Sequence, residues 1–153
     1  MHKVLKISLG VSFLIYLFVL TIFLFLSSRG YWVHMPLLEY IQRSSNFVPF
    51  KTISIYVMAI IDGSMNIDIP IKNLLGNLIL FFPMGIYLPF LIRKMDNIKV
   101  FIISISIVIL SVEVLQLVTR RGSFDVDDFL LNISGALIGF GMWKMKVVQK
   151  LLK

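Results

Sequence analysis

The sequence predicts an all-α polytopic membrane protein: a four-transmembrane-helix bundle with an interfacial segment at its outer face. Three observations point there. Hydrophobic residues make up 58% of the 153-residue chain and charged residues only 15%, where a soluble domain is nearer half apolar and a quarter charged. Mean hydropathy is +0.92. Four apolar stretches are long enough to approach a bilayer crossing, which takes about 20 helical residues for a hydrocarbon core of about 30 Å. The length suits one domain over residues 1–153.

The first stretch, about 4–26, follows Lys3 and Lys6. It resembles a signal peptide in its basic start, but it is too long for a signal core. Ser27-Ser28-Arg29 is also a poor small-residue cleavage site, so a retained helix is expected. The second, about 71–92, carries Pro83, which removes a backbone donor and predicts a kink. The third, about 100–118, is rich in Ile and Val. That composition suggests a strand in water, but over this length in so apolar a chain the helix wins. The fourth, about 128–148, ends with Lys144 and Lys146 in position to snorkel. Gly135 and Gly139 form a small-xxx-small pattern that favours close helix contact, and Trp32 and Trp143 suit the two interfaces.

Between the first two spans runs a long loop, Ser27 to Pro70. Within it, Ile53 to Ile61 is apolar but too short to cross, so it is expected to lie on or dip into the outer leaflet before a turn at Asp62-Gly63-Ser64. Basic residues set the orientation. Lys3 and Lys6, then Arg93, Lys94 and Lys99, then Lys144, Lys146, Lys150 and Lys153 all fall on one side of a four-span chain. Cytoplasmic segments hold the excess of Lys and Arg, so both termini are expected in the cytoplasm of a cell-membrane protein.

Fifteen Lys plus Arg against eight Asp plus Glu leave a net charge of +7. With no basic module, that charge is read as topological and lipid-facing, and nucleic acid is not expected as a partner. There is no cysteine, and His2 and His34 lie far apart. No disulfide, thiol nucleophile, metal site or cofactor is expected. Composition leaves the oligomeric state open.

Polar side chains interrupt the apolar stretches in a pattern. Glu113, Gln116 and Arg120 share one face of the third span. Glu113 lies about 10 Å deeper than Arg120. A charged carboxylate at that depth costs about 2.5–3.5 kcal/mol on insertion scales, so it must be paired, protonated or beside a wet cavity. Asp128 and Asn132 share a face at the start of the fourth span, and Asn73 and Asn77 do so near the start of the second. Each set has an ordinary explanation as well. Asp125 or Asp128 would serve as a helix cap, and the asparagines as interhelical glue. In the four-span topology, however, Asn73, Asn77, Glu113, Gln116, Arg120, Asp125, Asp128 and Asn132 all converge on the outer half. A pore or proton relay needs polar groups along its whole length, so a one-sided site is expected instead.

In these same elements the chain resembles the VanZ-like family of bacterial membrane proteins. The resemblance runs from about Asn46 to Gly139. It comprises Asn46-x-x-Pro49-Phe50, Asn73-x-x-x-Asn77 followed by Phe81-x-Pro83-x-Gly85, Glu113-x-x-Gln116, the Arg120–Arg121 to Asp125 loop, and Asp128-x-x-x-Asn132-x-x-Gly135-x-x-x-Gly139. The family's namesake is associated with resistance to teicoplanin, a lipoglycopeptide acting at the outer membrane face, so the resemblance implies a role at that face. It supplies no reaction. Three functions fit. One is a non-enzymatic site for membrane lipid, envelope lipid or lipoglycopeptide. Another is a membrane-embedded enzyme on a lipid-linked substrate, with Glu113 or an Asp as acid/base and Arg120 or Arg121 holding an anionic group. The last is a structural or assembly protein. The absence of cysteine makes the orientation testable. Asn66→Cys should react with an impermeant thiol reagent on intact cells and Asn97→Cys only after permeabilisation. The opposite pattern would invert the topology.

Overall fold

The computed structural model describes residues 2–26 and 36–152, with side chains from Val4 onward. Trp32, His34 and Arg29 therefore lie outside the described residues, as do the side chains of His2 and Lys3 and the terminal Lys153. The described residues are mainly helical. Its elements are α1 (His2–Thr21, continuing as one wider turn over Ile22–Leu26), α2 (Leu37–Arg43), α3 (Lys51–Asp62), α4 (Asp68–Leu80), α5 (Phe82–Leu91), α6 (Ile98–Val118), α7 (Val126–Trp143) and α8 (Lys146–Leu152). A tight turn over Arg93–Asp96 joins α5 to α6. Two-residue strands β1 (Ser45–Asn46) and β2 (Phe124–Asp125) pair in parallel.

Among the described residues, three stretches are long and apolar enough to cross a membrane: Val4–Leu26, Asp68–Leu91 and Ile98–Val118. The fourth expected span corresponds to α7, which has 18 residues and two aspartates in its first turn. It is also the most enclosed helix, packed between α4–α5 and α6. Its polarity goes into the protein: Asp127 and Asn132 are buried there along with Gly135, Ala136 and Gly139. The expected continuation to Val148 does not occur, because α7 stops at Trp143 and α8 starts afresh at Lys146. Asp96 ties the chain down at that point. It accepts from the Trp143 indole N–H at 2.8 Å and pairs with Lys144 Nζ at 2.7 Å. Lys144 is thus held by a carboxylate rather than simply reaching for an interface, and Trp143 is 2% exposed.

The break between α4 and α5 falls where Pro83 predicts it. Met84 N–H bonds the Phe81 carbonyl, one residue short of the helical partner, at 3.1 Å. The Leu80 carbonyl left over accepts the Tyr16 hydroxyl of α1 at 2.6 Å. A buried carbonyl without a partner is expensive in lipid, so this bond both permits the break and pins α1 to it. Tyr16 also stacks on Tyr87 of α5 at 5.9 Å, and Tyr87 O–H shares a 3.1 Å hydrogen bond with Ser12 Oγ.

On the other side, the α4–α5 backbone lies directly on α7. A Cβ at Gly135 would meet the Leu78 carbonyl at 1.8 Å, and one at Gly139 would meet the Phe82 carbonyl at 2.0 Å. Gly85 reciprocates, since a Cβ there would meet the Ala136 carbonyl at 2.1 Å. Only glycine lets two helix backbones touch in this way, and the contact supplies the packing that lipid does not drive. Below it, Phe81, Phe101, Ile105, Ile109 and Ala136 form a fully buried core, with the Phe101 and Phe140 rings 4.7 Å apart.

The long loop is structured where it is described. Its apolar stretch is the helix α3, which ends at Gly63 with a left-handed φ of 68°. Ser64, bonding through its hydroxyl and its N–H, holds the Asp62 carboxyl below its ordinary pKa at that turn. Gly139→Ala should cost about 3 kcal/mol or more of stability, because backbone cannot yield as a side chain can. Gly141→Ala, with open space at its Cβ, should cost little. Equal unfolding midpoints for the two variants in detergent would overturn the contact.

Candidate functional site

The site sits at the end of the bundle where α6 finishes and α7 begins, beside the start of α4. Three parts of the chain build it. The first is a strap. Ser45 and Asn46 pair with Phe124 and Asp125, and the Tyr40 hydroxyl donates to the Gly122 carbonyl at 2.7 Å. Asn46 Nδ2 reaches Asp125 Oδ1 at 3.0 Å and Thr52 Oγ1 at 3.1 Å, while the Thr52 hydroxyl donates to Asp125 Oδ2 at 2.6 Å. Asp125 also caps α7, accepting from the Asp127 N–H at 2.9 Å.

The second part is Asp127, which is wholly buried. Its carboxylate accepts the N–H of Phe50 at 2.5 Å and those of Thr52 and Ile53 at 2.7 and 3.1 Å. These are the donors that a helix start leaves without partners. Phe50, immediately before α3, has a left-handed φ of 64° and no side-chain cap of its own. A carboxylate from α7 thus does for α3 what a local cap does elsewhere, and the positive end of the helix dipole favours its charge. Sequence spacing does not single out Asp127, because its partners lie 77 and 75 positions away and no local rule joins segments so far apart.

The third part is a cavity of about 200 Å³ under the strap. Asn73, Asn77, Glu113, Gln116, Asp128 and Asn132 all line it, together with the apolar Phe23, Leu24 and Leu80. Three helices therefore bring together the polar side chains that sequence spacing put on separate faces. Arg120 and Asp125 are not among the described lining residues. Asp125 belongs to the strap, and Arg120 occupies the turn after α6 with a φ of 56°. Glu113 is 3% exposed, and its Oε2 accepts the Asp125 N–H at 3.4 Å, which links cavity to strap. Asn77 Nδ2 donates to Asp128 Oδ1 in a short hydrogen bond. Gln116 Nε2 donates to the Leu24 carbonyl at 2.8 Å, holding the end of α1 in the wall. Asn73 Nδ2 returns to the Ile69 carbonyl of its own helix. Asn132 is 2% exposed, and its Oδ1 has no hydrogen-bond partner.

Tyr56 of α3 stands near the same carboxylates. Burial, and then the charges of Asp128 and Asp125, push its phenol above the ordinary pKa. The cavity also opens sideways. Phe23, Asn73, Asn77 and Leu80 are shared with an apolar groove of about 580 Å³ that continues along α4 past Leu75, Gly76 and Ile79. Among the described residues, no group of three or more His, Cys, Asp or Glu side chains is placed to hold a metal ion.

An all-helical bundle with membrane-length apolar helices and one enclosed polar end defines a polytopic membrane protein. A family model described as VanZ/LLP1 matches residues 13–149, and the chain belongs to that family. The match reaches well beyond the motif region, taking in the later part of α1 and the start of α8. No curated protein and no solved structure matches the chain.

Asp127→Ala should leave three N–H groups at the start of α3 without an acceptor, at about 1–3 kcal/mol for each that stays buried. Amide exchange over residues 50–53 should rise sharply and proteolysis near residues 44–64 should follow. Asp127→Asn, which keeps one acceptor oxygen, should do less. Unchanged exchange in Asp127→Ala would remove the capping role.

Proposed function

We propose that this VanZ-family protein spans the cell membrane four times, with both termini in the cytoplasm, and holds the headgroup of an envelope lipid in its polar cavity at the outer face. Through that lipid it lowers susceptibility to lipoglycopeptides such as teicoplanin. The observation that carries this reading is the join between a small polar cavity and an apolar groove across shared lining residues. An amphiphile needs that division, with a polar head enclosed by convergent polar groups and a chain along an apolar wall.

Size favours the lipid over the drug as direct occupant. About 200 Å³ is below the roughly 300–1,000 Å³ of sites for drug-sized ligands, and a lipoglycopeptide is larger still. The outward orientation rests on the basic residues of the Arg93–Lys99 connection and the C-terminal segment at the opposite end of the bundle. α3 would then lie in the outer leaflet, with exposed Met58 and Ile61 toward lipid.

A second reading has one observation in its favour: Glu113 and Asp128 line the same cavity, as an acid/base pair acting on a lipid-linked substrate would.

Expression in a teicoplanin-susceptible bacterium should lower drug susceptibility several-fold and reduce the amount of labelled lipoglycopeptide bound per cell. Glu113→Gln at normal abundance should abolish both effects. Equal susceptibility and equal drug binding with and without the protein would sink the resistance role. A changed envelope-lipid profile that disappears in Glu113→Gln would instead favour the enzyme.

A further inference from the structure

We infer that the cavity recognises a primary ammonium group at the tip of the lipid headgroup. This inference rests on the amphiphile reading of the same site and names the chemistry of its occupant. Three amides of the cavity's polar wall each commit an N–H within the protein, and the wall has acceptors left over. Asn77 gives one amide N–H to Asp128, Gln116 gives one to the Leu24 carbonyl, and Asn73 returns one to the Ile69 carbonyl. Against these stand two carboxylates. Asp128 takes the Asn77 bond, and Glu113 takes a long contact of 3.4 Å from the Asp125 N–H. No Lys or Arg is among the described lining residues.

The independent sign of a ligand is Asn132. The residue lines the cavity with a side chain that is 2% exposed, and nothing in the protein donates to its buried carbonyl oxygen. Buried amide oxygens are almost always bonded, so one left open in a cavity wall calls for a donor from outside the chain. A ligand that supplies N–H donors and positive charge together completes Asn132, Glu113 and Asp128 at once.

A primary ammonium has three N–H donors and a quaternary ammonium has none. The site therefore discriminates between two headgroups of equal charge. A volume of about 200 Å³ corresponds to roughly seven waters at about 30 Å³ each, which suits an ethanolamine-sized group. The adjoining groove carries Lys72. Its side chain is 77% exposed and only loosely paired with Asp68 at 3.7 Å, so it can meet a phosphate outside the cavity. Acceptors inside and a cation at the groove match a phospholipid headgroup that ends in a primary amine.

The test uses the purified full chain in detergent, offered phosphatidylethanolamine, phosphatidylcholine and phosphatidylglycerol in equal amounts, with retained lipid read by native mass spectrometry. Phosphatidylethanolamine should be retained about tenfold over phosphatidylcholine, the factor expected of one charge-assisted hydrogen bond. Asn132→Leu and Asp128→Asn should each bring the ratio toward one while total retained lipid holds. Displacement by free ethanolamine would assign the recognition to the amine alone, and persistence against it to the lipid-borne amine. Gly76→Trp, at a groove position with open space at Cβ, should cut retention of all three lipids. If the lipids are retained equally but lost in Gly76→Trp, ammonium recognition is wrong and the amphiphile site stands. If none is retained and Gly76→Trp changes nothing, both fall.

Discussion

The contact between the α4–α5 backbone and α7 is what the rest of the structure leans on. Gly135 and Gly139 accept the Leu78 and Phe82 carbonyls against their Cα atoms, and Gly85 does the same for α7 in return. Two helices that approach so closely cannot shift along each other without a backbone clash. Their relative register is therefore set, and with it the meeting of Asn77 and Asp128 about two turns away. The break at Pro83 belongs to the same device. It lets α4 and α5 each follow α7, and the carbonyl it frees becomes the anchor for Tyr16 of α1.

That rigid seam supports a polar end that would otherwise be costly. Asp125, Asp127, Asp128 and Glu113 are crowded together in a protein of strongly positive net charge, and each has a different task. Asp125 closes the strap and caps α7, and Asp127 closes the start of α3. Asp128 and Glu113 face the cavity. Two of these carboxylates thus find their compensation in backbone and hydroxyl donors, while the other two look onto space. The division separates the carboxylates that hold segments together from those that line the cavity.

Much of this was legible in the chain. Composition required a membrane, hydropathy located the apolar stretches, Pro83 marked the break and the Gly135–Gly139 spacing marked a close helix contact. Spacings of three and four also picked out Asn73, Asn77, Glu113, Gln116, Asp128 and Asn132, because helical periodicity puts such residues on one face. The strap was not legible. Asn46 and Asp125 are 79 positions apart, and pairing over that distance leaves no local pattern. The end of α7 was missed for the same reason, since Asp96 holds Trp143 and Lys144 from 47 and 48 positions away.

By itself the sequence determined the solvent, the elements and the faces, since apolar content, helix period, proline and glycine act through chain-local geometry. Only the tertiary structure decided which polar groups are used up on one another and which remain open. Asp125 and Asp128 are alike as residues and close in sequence, yet one is bound into the strap and the other lines a cavity. Asn77 finds Asp128 for its amide N–H, whereas the buried oxygen of Asn132 finds no donor. Whether a buried polar atom is satisfied depends on what other helices bring within about 3 Å of it, and that is a property of packing.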